Sequence, residues 1–375
     1  MPGLRPDVDP DGLLEYSVVY TDRSLNHMSK RFQQVMRDVG ATLKEVYGAR
    51  SAVLVPGSGS TGMEAVARQF AGGQRCLIVR NGWFSYRWTQ ILEMSGIAPD
   101  PMVLKARRTD AGDRAPFAPA PVEEVVAAIH AFKPAVVFAP HVETSAGMIL
   151  PDAYIRAVAD AVHAEGGLMV LDCIASGAEW VDMRATGVDL LISAPQKGWS
   201  STPCAGIVML SELARARIDA TQSSSFSLDL KKWLSIMETY EAGAHAYHAT
   251  LPTDGLVDLR DAMAELRAFG FERARQAQRE IGRRVRELLA SRGVPSVAAP
   301  GFEASGVFVG YTDRDDWHNT RAFAAQGLQT AAGVPLACDE GPGYKSFRLG
   351  LFGLDKWQNP DRTVETLVRA LDAIG

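Results

Sequence analysis

Cysteine is scarce in this sequence: four in 375 residues, at Cys76, Cys173, Cys204 and Cys338. They are scattered, with no C-x-x-C pair, which argues against a metal knuckle or a disulfide framework. Three of them lie in apolar runs and read as buried thiols. Positive charge is not in excess either. Lys and Arg number 39 against 44 Asp and Glu, a net charge of −5 with no long basic run. Nothing here would draw the chain to a nucleic-acid backbone. No uninterrupted apolar stretch approaches the about 18 residues of a membrane helix. The opening "MPGLRPDVDPDGLLEY" is polar and proline-rich, unlike a secretory leader. The cytoplasm is therefore the expected location. Internal repeats and low-complexity segments are absent too.

What the chain does have is an ordinary globular composition, 47% apolar and 22% charged. It is too long for one small core. Short, almost continuously apolar runs alternate with helical patterns from about residue 30 to 215. The strand candidates are Ala52–Val55, Cys76–Arg80, Ala135–Ala139, Leu168–Leu171, Leu190–Ser193 and Gly206–Leu210. Val122–Phe132 and Ala153–Glu165 read as helices between them. Strands buried on both faces look like this, so the expected fold is α/β, a mostly parallel sheet with helices on both faces. From about Gly255 the texture changes. A long amphipathic helical pattern, broken near Gly270, precedes strand-like "SGVFVGYT" and "KSFRLGLFG" and a closing helix, "PDRTVETLVRALDAI". The expected division is an N-terminal segment, 1–29, a large domain, 30–255, and a smaller C-terminal α+β domain, 256–375.

Ligands of such sheets sit at the carboxyl ends of the strands, and those ends carry the chemistry. "PGSGSTG" spells G-x-G-x-x-G through Gly57, Gly59 and Gly62 and opens a helix-like run. Backbone N–H groups there, with the hydroxyls of Ser58, Ser60 and Thr61, suit a phosphate; a capped tight turn would read the same. "RNGWFSYRW" places Trp83 and Phe84 after the next strand, where an aromatic face could cover a flat ligand or simply pack. "HVETSAGMILP" offers Thr144 and Ser145. Asp172 ends the apolar run of "LMVLDC", where an ionised carboxylate is costly unless a cation meets it. Lys197 follows another apolar strand in "LLISAPQKG", where desolvation and nearby cations favour a neutral amine.

A dinucleotide reading explains only the glycine loop. It expects an acidic residue about 20 positions on, and the next strand ends instead at Arg80, which suits a 2′-phosphate but leaves Asp172 and Lys197 without a role. Pyridoxal 5′-phosphate uses all of them. It needs a lysine for its imine, a carboxylate for its ring nitrogen, an aromatic face, and a helix N-terminus for its phosphate.

These stretches resemble the class V aminotransferases of the fold-type I pyridoxal-phosphate enzymes, close to the alanine–glyoxylate and serine–pyruvate group. The resemblance runs from about His27 to the C-terminus. "SGSTGMEA" is similar to the family's phosphate loop, including Ser58, Gly59, Ser60 and Thr61. "NGWFSYRW" is similar to its ring-stacking segment, with Phe84 at the stacking position. "HVETSAGMILP" makes Thr144 the contact for the cofactor's hydroxyl side. The most specific block, "LDCIASGAEWVDMRATGVDLLISAPQKG", implies Asp172 and Lys197 as catalytic residues, with Ile174 and Gln196 beside the cofactor. "AYHATLP" resembles a segment that crosses a dimer interface, so that Tyr247 and Thr250 would bind the phosphate of the neighbouring subunit. "SFRLGLFG" implies Arg348 as the grip on the substrate carboxylate, which suits a planar guanidinium.

The resemblance thus implies a homodimer with shared active sites. It would move an amino group from an amino acid or related amine to a small 2-oxo acid, glyoxylate or pyruvate, without a metal. One departure is the start, "GLLEYSVVYTDRSLNHMSKRF", where the family has a Gly-Pro-rich segment. Tyr16, Tyr20, Arg23, Asn26 and His27 stand there to line the entrance, and Tyr20 and Asn26 are candidate substrate contacts. A lyase or desulfurase of the same fold stays open, with Cys338 the loop cysteine it would need. A non-catalytic cofactor-binding module and an NAD(P)-binding oxidoreductase are the further alternatives.

Overall fold

A computed structural model describes residues 13–375. The reading of the first twelve positions as a polar, leaderless start lies outside the described residues.

Seven strands form the main sheet: Ser51–Pro56 (β1), Cys76–Arg80 (β2), Met102–Lys105 (β3), Val136–Pro140 (β4), Leu168–Asp172 (β5), Leu190–Ser193 (β6) and Ala205–Leu210 (β7). Their order is β1-β7-β6-β5-β4-β2-β3. The run from β6 to β3 is parallel throughout, while β7 is antiparallel to both of its neighbours. Because β7 reverses twice over, β1 points the same way as the parallel strands. Six carboxyl ends therefore share one edge. The apolar runs are continuous because nearly all strand residues are buried. The exception, β3, is a half-buried edge strand that carries a lysine, and its sequence did not announce it.

The helices that cover the sheet and follow it are Lys30–Tyr47 (α1), Gly59–Phe70 (α2), Trp83–Met94 (α3), Val122–Phe132 (α4), Asp152–Ala164 (α5), Leu230–Glu241 (α6), Thr253–Phe269 (α7), Phe271–Ser291 (α8) and Pro360–Ile374 (α9). Gly270 breaks α7 from α8 with a φ of 104°, which an L side chain rarely adopts. A second sheet, Val307–Tyr311 (β8), Ala331–Ala332 (β9) and Ser346–Gly350 (β10), has the order β8-β10-β9, so β10 is its central strand.

The glycine loop follows β1, which pairs with β7 and lies five places from β2 in the sheet order. The adjacent parallel βαβ unit of a dinucleotide site is therefore not built. Among the described residues, no helix is long and apolar enough to cross a membrane.

Candidate active site

The crevice along the shared carboxyl edge begins at α2. Gly57 turns with a φ of 130°. Ser58 is the N-cap; its N–H donates to Thr61 Oγ1 (3.0 Å), and its carbonyl accepts from Gly62 N–H (3.1 Å). The N–H groups of Gly59, Ser60 and Thr61 lie in the first turn, where a helix offers them no acceptor of its own. The cradle is close-packed. A Cβ on Gly59 would lie 2.5 Å from Ile174 Cδ1, and one on Gly206 would lie 2.5 Å from Gly62 N. Ser60 Oγ accepts from Arg87 Nη1 at 2.8 Å.

Phe84 sits on the first turn of α3, half-buried, with two guanidinium groups near its ring. Arg87 is 5.3 Å and Arg348 5.4 Å from the ring centre. The turn of "HVETSAG" reaches under this helix. Thr144 is buried there, between Glu143 and Ser145. Glu143 is fully buried and accepts from Phe84 N–H (3.2 Å) and from both the N–H (2.8 Å) and the hydroxyl (2.7 Å) of Ser85.

Asp172 ends β5, in register with Pro140 of β4 and Ile192 of β6. Among the described residues its carboxylate has one hydrogen-bond partner, Ile174 N–H at 2.9 Å. Burial pushes this carboxyl up to about 7; Glu143 adds to the rise, while the Ile174 N–H, Arg87 and Lys197 oppose it. Lys197 follows β6, half-buried, with its ammonium 5.4 Å from the Phe352 ring. Burial lowers its basicity, Arg348 and Arg87 lower it further, and Asp172 counters them. Desolvation and neighbouring cations of this kind make the neutral amine more accessible than it is for a surface lysine. Arg348, on the central strand β10, spends Nε on the Ala332 carbonyl (2.7 Å), and burial lowers its pKa too. Read from the residues alone, it would have been an edge-strand surface arginine.

The structure gathers Ser58, Gly59, Ser60, Thr61, Phe84, Asp172, Ile174, Lys197 and Arg348 along this crevice, with Thr144 buried in the turn next to Glu143. Gln196 is exposed beside Lys197, in a groove shared with Glu265 and Phe352. Tyr20, Tyr247 and Thr250 form a second cluster around His27. The His27 ring lies 5.6 Å from Tyr20 and 5.5 Å from Tyr247, Tyr20 Oη donates to the Leu251 carbonyl, and the Tyr247 and Thr250 hydroxyls are 3.2 Å apart. Asn26 turns back on its own segment, donating to Glu15 (2.8 Å) and Ser17 (3.1 Å).

Two residues of the crevice were missed in the sequence, Arg87 and Glu143. Arg87 is one turn beyond Phe84, a spacing that becomes visible once α3 is known to start at Trp83. Two candidates fall away. Arg80 is buried, donating to Thr89 Oγ1 and the Ala337 carbonyl, so it has no 2′-phosphate to meet. Cys338 is 4% exposed and burial pushes its thiol up to about 12, the opposite of a desulfurase nucleophile. All four cysteines are free and buried.

Comparison with known proteins supplies the rest. The family model described as Aminotransferase class-V matches residues 13–323. The alanine–glyoxylate aminotransferase of Callithrix jacchus is 26% identical over 361 residues, 92% of this chain and 82% of its own. The 2-aminoethylphosphonate–pyruvate transaminase 2 of Paraburkholderia xenovorans is 30% identical over 318 residues, 83% and 80% of the two chains. Among solved structures, the ureidoglycine–glyoxylate aminotransferase of Bacillus subtilis superposes with a TM-score of 0.77 at 21% identity, covering 96% of this chain and 87% of that one. The pyridoxamine–pyruvate aminotransferase of Mesorhizobium loti gives 0.77 at 19%, covering 100% and 90%. These two share the fold. The chain belongs to the class V aminotransferases, a pyridoxal-phosphate-dependent family of enzymes of fold type I.

Proposed function

We propose that Lys197 and Asp172 are the catalytic pair of an aminotransferase that uses a small 2-oxo acid, glyoxylate or pyruvate, as amino acceptor. The observation that carries this is the meeting of Lys197, Asp172, Phe84 and Arg348 at one sheet edge, with both charged partners of the cofactor perturbed by burial. The acceptors come from the names of the relatives, which pair glyoxylate or pyruvate with different donors.

The residues fit pyridoxal phosphate. Its phosphate suits the α2 cradle of Ser58, Gly59, Ser60 and Thr61, which a Cβ at Gly59 would narrow against Ile174. Its ring suits the half-open Phe84 face, its hydroxyl Thr144, and its ring nitrogen the stranded Asp172 carboxylate. Gln196 borders the lysine. Tyr247 and Thr250, exposed and paired with each other, reach the phosphate of a second subunit, which makes the enzyme a homodimer with shared sites. When bound, the cofactor carries the amino group between half-reactions and draws electrons from the substrate α-carbon.

The chain's own groups do the rest. The Lys197 amine, freed by the incoming donor, takes the proton from the substrate α-carbon and returns it on the other side of the transfer. Asp172 holds a proton at the ring nitrogen. Arg348 keeps both Nη groups for the substrate carboxylate and so fixes which bond faces Lys197. It comes from the 256–375 unit and Lys197 from the 30–255 unit, so the site lies where the two proposed domains meet. Tyr20 lies with Tyr247 at the entrance, and Asn26 holds the entrance segment.

The test is reductive trapping. After borohydride treatment with pyridoxal phosphate, peptide mapping should find the cofactor on Lys197, and Lys197→Ala should lose both trapping and transamination. An active Lys197→Ala enzyme would overturn the assignment. Screening amino donors against glyoxylate and pyruvate then identifies the substrates.

A further inference from the structure

We propose that Glu143 is a positioning residue that locks the first turn of α3, and with it the Phe84 ring, to the turn that carries Thr144. This rests on the reading of Phe84 as the ring-stacking residue.

Glu143 lies 59 positions beyond Phe84 in the chain, yet its carboxylate serves as the cap of α3. Oε1 accepts from Phe84 N–H (3.2 Å), Ser145 N–H (3.1 Å) and the Ser145 hydroxyl (2.7 Å). Oε2 accepts from Ser85 N–H (2.8 Å) and the Ser85 hydroxyl (2.7 Å). Ser145 Oγ in turn accepts Trp83 N–H at 2.9 Å. One carboxylate and one hydroxyl thereby satisfy the first three N–H groups of the helix, which would otherwise be orphans. The N-cap itself is Gly82, which has no side chain to cap with. Its φ of 167° is open to any residue, so conformation does not demand glycine there. Space does: a Cβ would stand 2.1 Å from Ser145 Oγ and 2.7 Å from Glu143 Cγ.

The charge needs its own explanation, since a neutral cap would bond the same N–H groups with less desolvation. Among the described residues Glu143 has no ion-pair partner; dipoles meet its charge, and a helix N-terminus favours an anion. That charge is felt across the crevice. It helps keep a proton on Asp172 and supports the Arg348 guanidinium against burial. Glu143 therefore ties three cofactor contacts together: Phe84 by hydrogen bond, Thr144 by the chain, Asp172 by field.

A double-mutant cycle tests this through cofactor affinity, read from quenching of tryptophan fluorescence on titration with pyridoxal phosphate. Glu143→Gln keeps the shape but turns an NH2 toward N–H donors and removes the charge. Phe84→Ala is expected to weaken binding by about tenfold, the scale of one lost aromatic stack. Glu143→Gln is expected to weaken it comparably, and the double variant by clearly less than the product of the two single effects. Unchanged affinity in a folded Glu143→Gln protein, or effects that multiply in the double variant, would overturn the proposal. If Phe84→Ala itself left affinity unchanged, the stacking reading would fail instead. Should Glu143→Gln not fold, Ser145→Ala takes its place in the same cycle; it leaves the carboxylate and removes the hydroxyl that joins Trp83 N–H to Glu143 Oε1.

Discussion

Burying a carboxylate at the end of an apolar strand has a thermodynamic consequence that Asp172 makes measurable. Its folded value is about 7, against an ordinary 3.8. Between those values the folded cofactor-free protein holds a proton that the unfolded chain has lost. The stability this group contributes is therefore fully present below about pH 4 and is lost as pH rises to about 7. The upper bound is on the order of 4 kcal/mol. Asp172→Asn cannot ionise. Stripped of cofactor, it is expected to match wild type near pH 4 and to exceed it by at least about 1 kcal/mol at pH 8. Urea unfolding of both proteins across that range checks this; a stability gap that does not change with pH would refute it. Asp172 and Lys197 were legible in the sequence because a charged residue closing an apolar run is an anomaly. Glu143 was not. It stands between a valine and a threonine, in a two-residue strand at the edge of a turn, where acidic residues are usually solvated, and only the folded chain shows that it lies under α3.

At the scale of elements, the phosphate cradle depends on how closely α2 approaches β7. Gly206 makes that approach possible. A Cβ there would lie 2.5 Å from Gly62 N and 2.7 Å from the Ser58 carbonyl, and both are backbone atoms that cannot rotate away. Gly206→Ala must push the helix off the strand. The expected cost is about 1–3 kcal/mol of stability, as for other overpacked cores. Cofactor affinity should fall with it, because the displaced turn is the one that offers Gly59, Ser60 and Thr61. Gly72→Ala, with nothing within 4 Å of the new methyl, is the control and should change neither. A Gly206→Ala protein with wild-type stability and affinity would show that α2 is free to shift. The main sheet was readable from sequence because buried parallel strands are apolar throughout. Among the elements that escaped are β3 and α6. β3 is a half-exposed edge strand. α6 follows a polar Ser-rich stretch, and its apolar stripe, Leu230, Trp233, Leu234 and Met237, is recognisable only once the strand register before it is settled.

At the scale of the whole molecule, Tyr247 poses a problem that one chain cannot solve. It is 51% exposed, and it clusters with Tyr20, His27 and Thr250. Nearby, the start of the described chain exposes Leu13, Leu14, Tyr16 and Val18, and Phe226 is exposed beside His248. Clustered large apolar groups of this kind are common on surfaces that another protein covers. A second copy of the chain would cover this one and, in a two-fold dimer, give each subunit's Tyr247 and Thr250 to the other's Lys197. That arrangement predicts complementation. Lys197→Ala is inactive because its own lysine is missing. Tyr247→Ala combined with Thr250→Ala is crippled because the partner's phosphate is poorly held. In a heterodimer of the two, one site pairs an intact Lys197 with an intact Tyr247 and Thr250, and the other site carries all the lesions. Each purified heterodimer should then recover about half of the wild-type rate. If Tyr247 and Thr250 served their own subunit, each site would carry one lesion and the mixture would stay as inactive as its parents. Composition and periodicity carry no sign of this proposed sharing, since its two halves would meet only once the chain had met a copy; the resemblance of "AYHATLP" alone implied it.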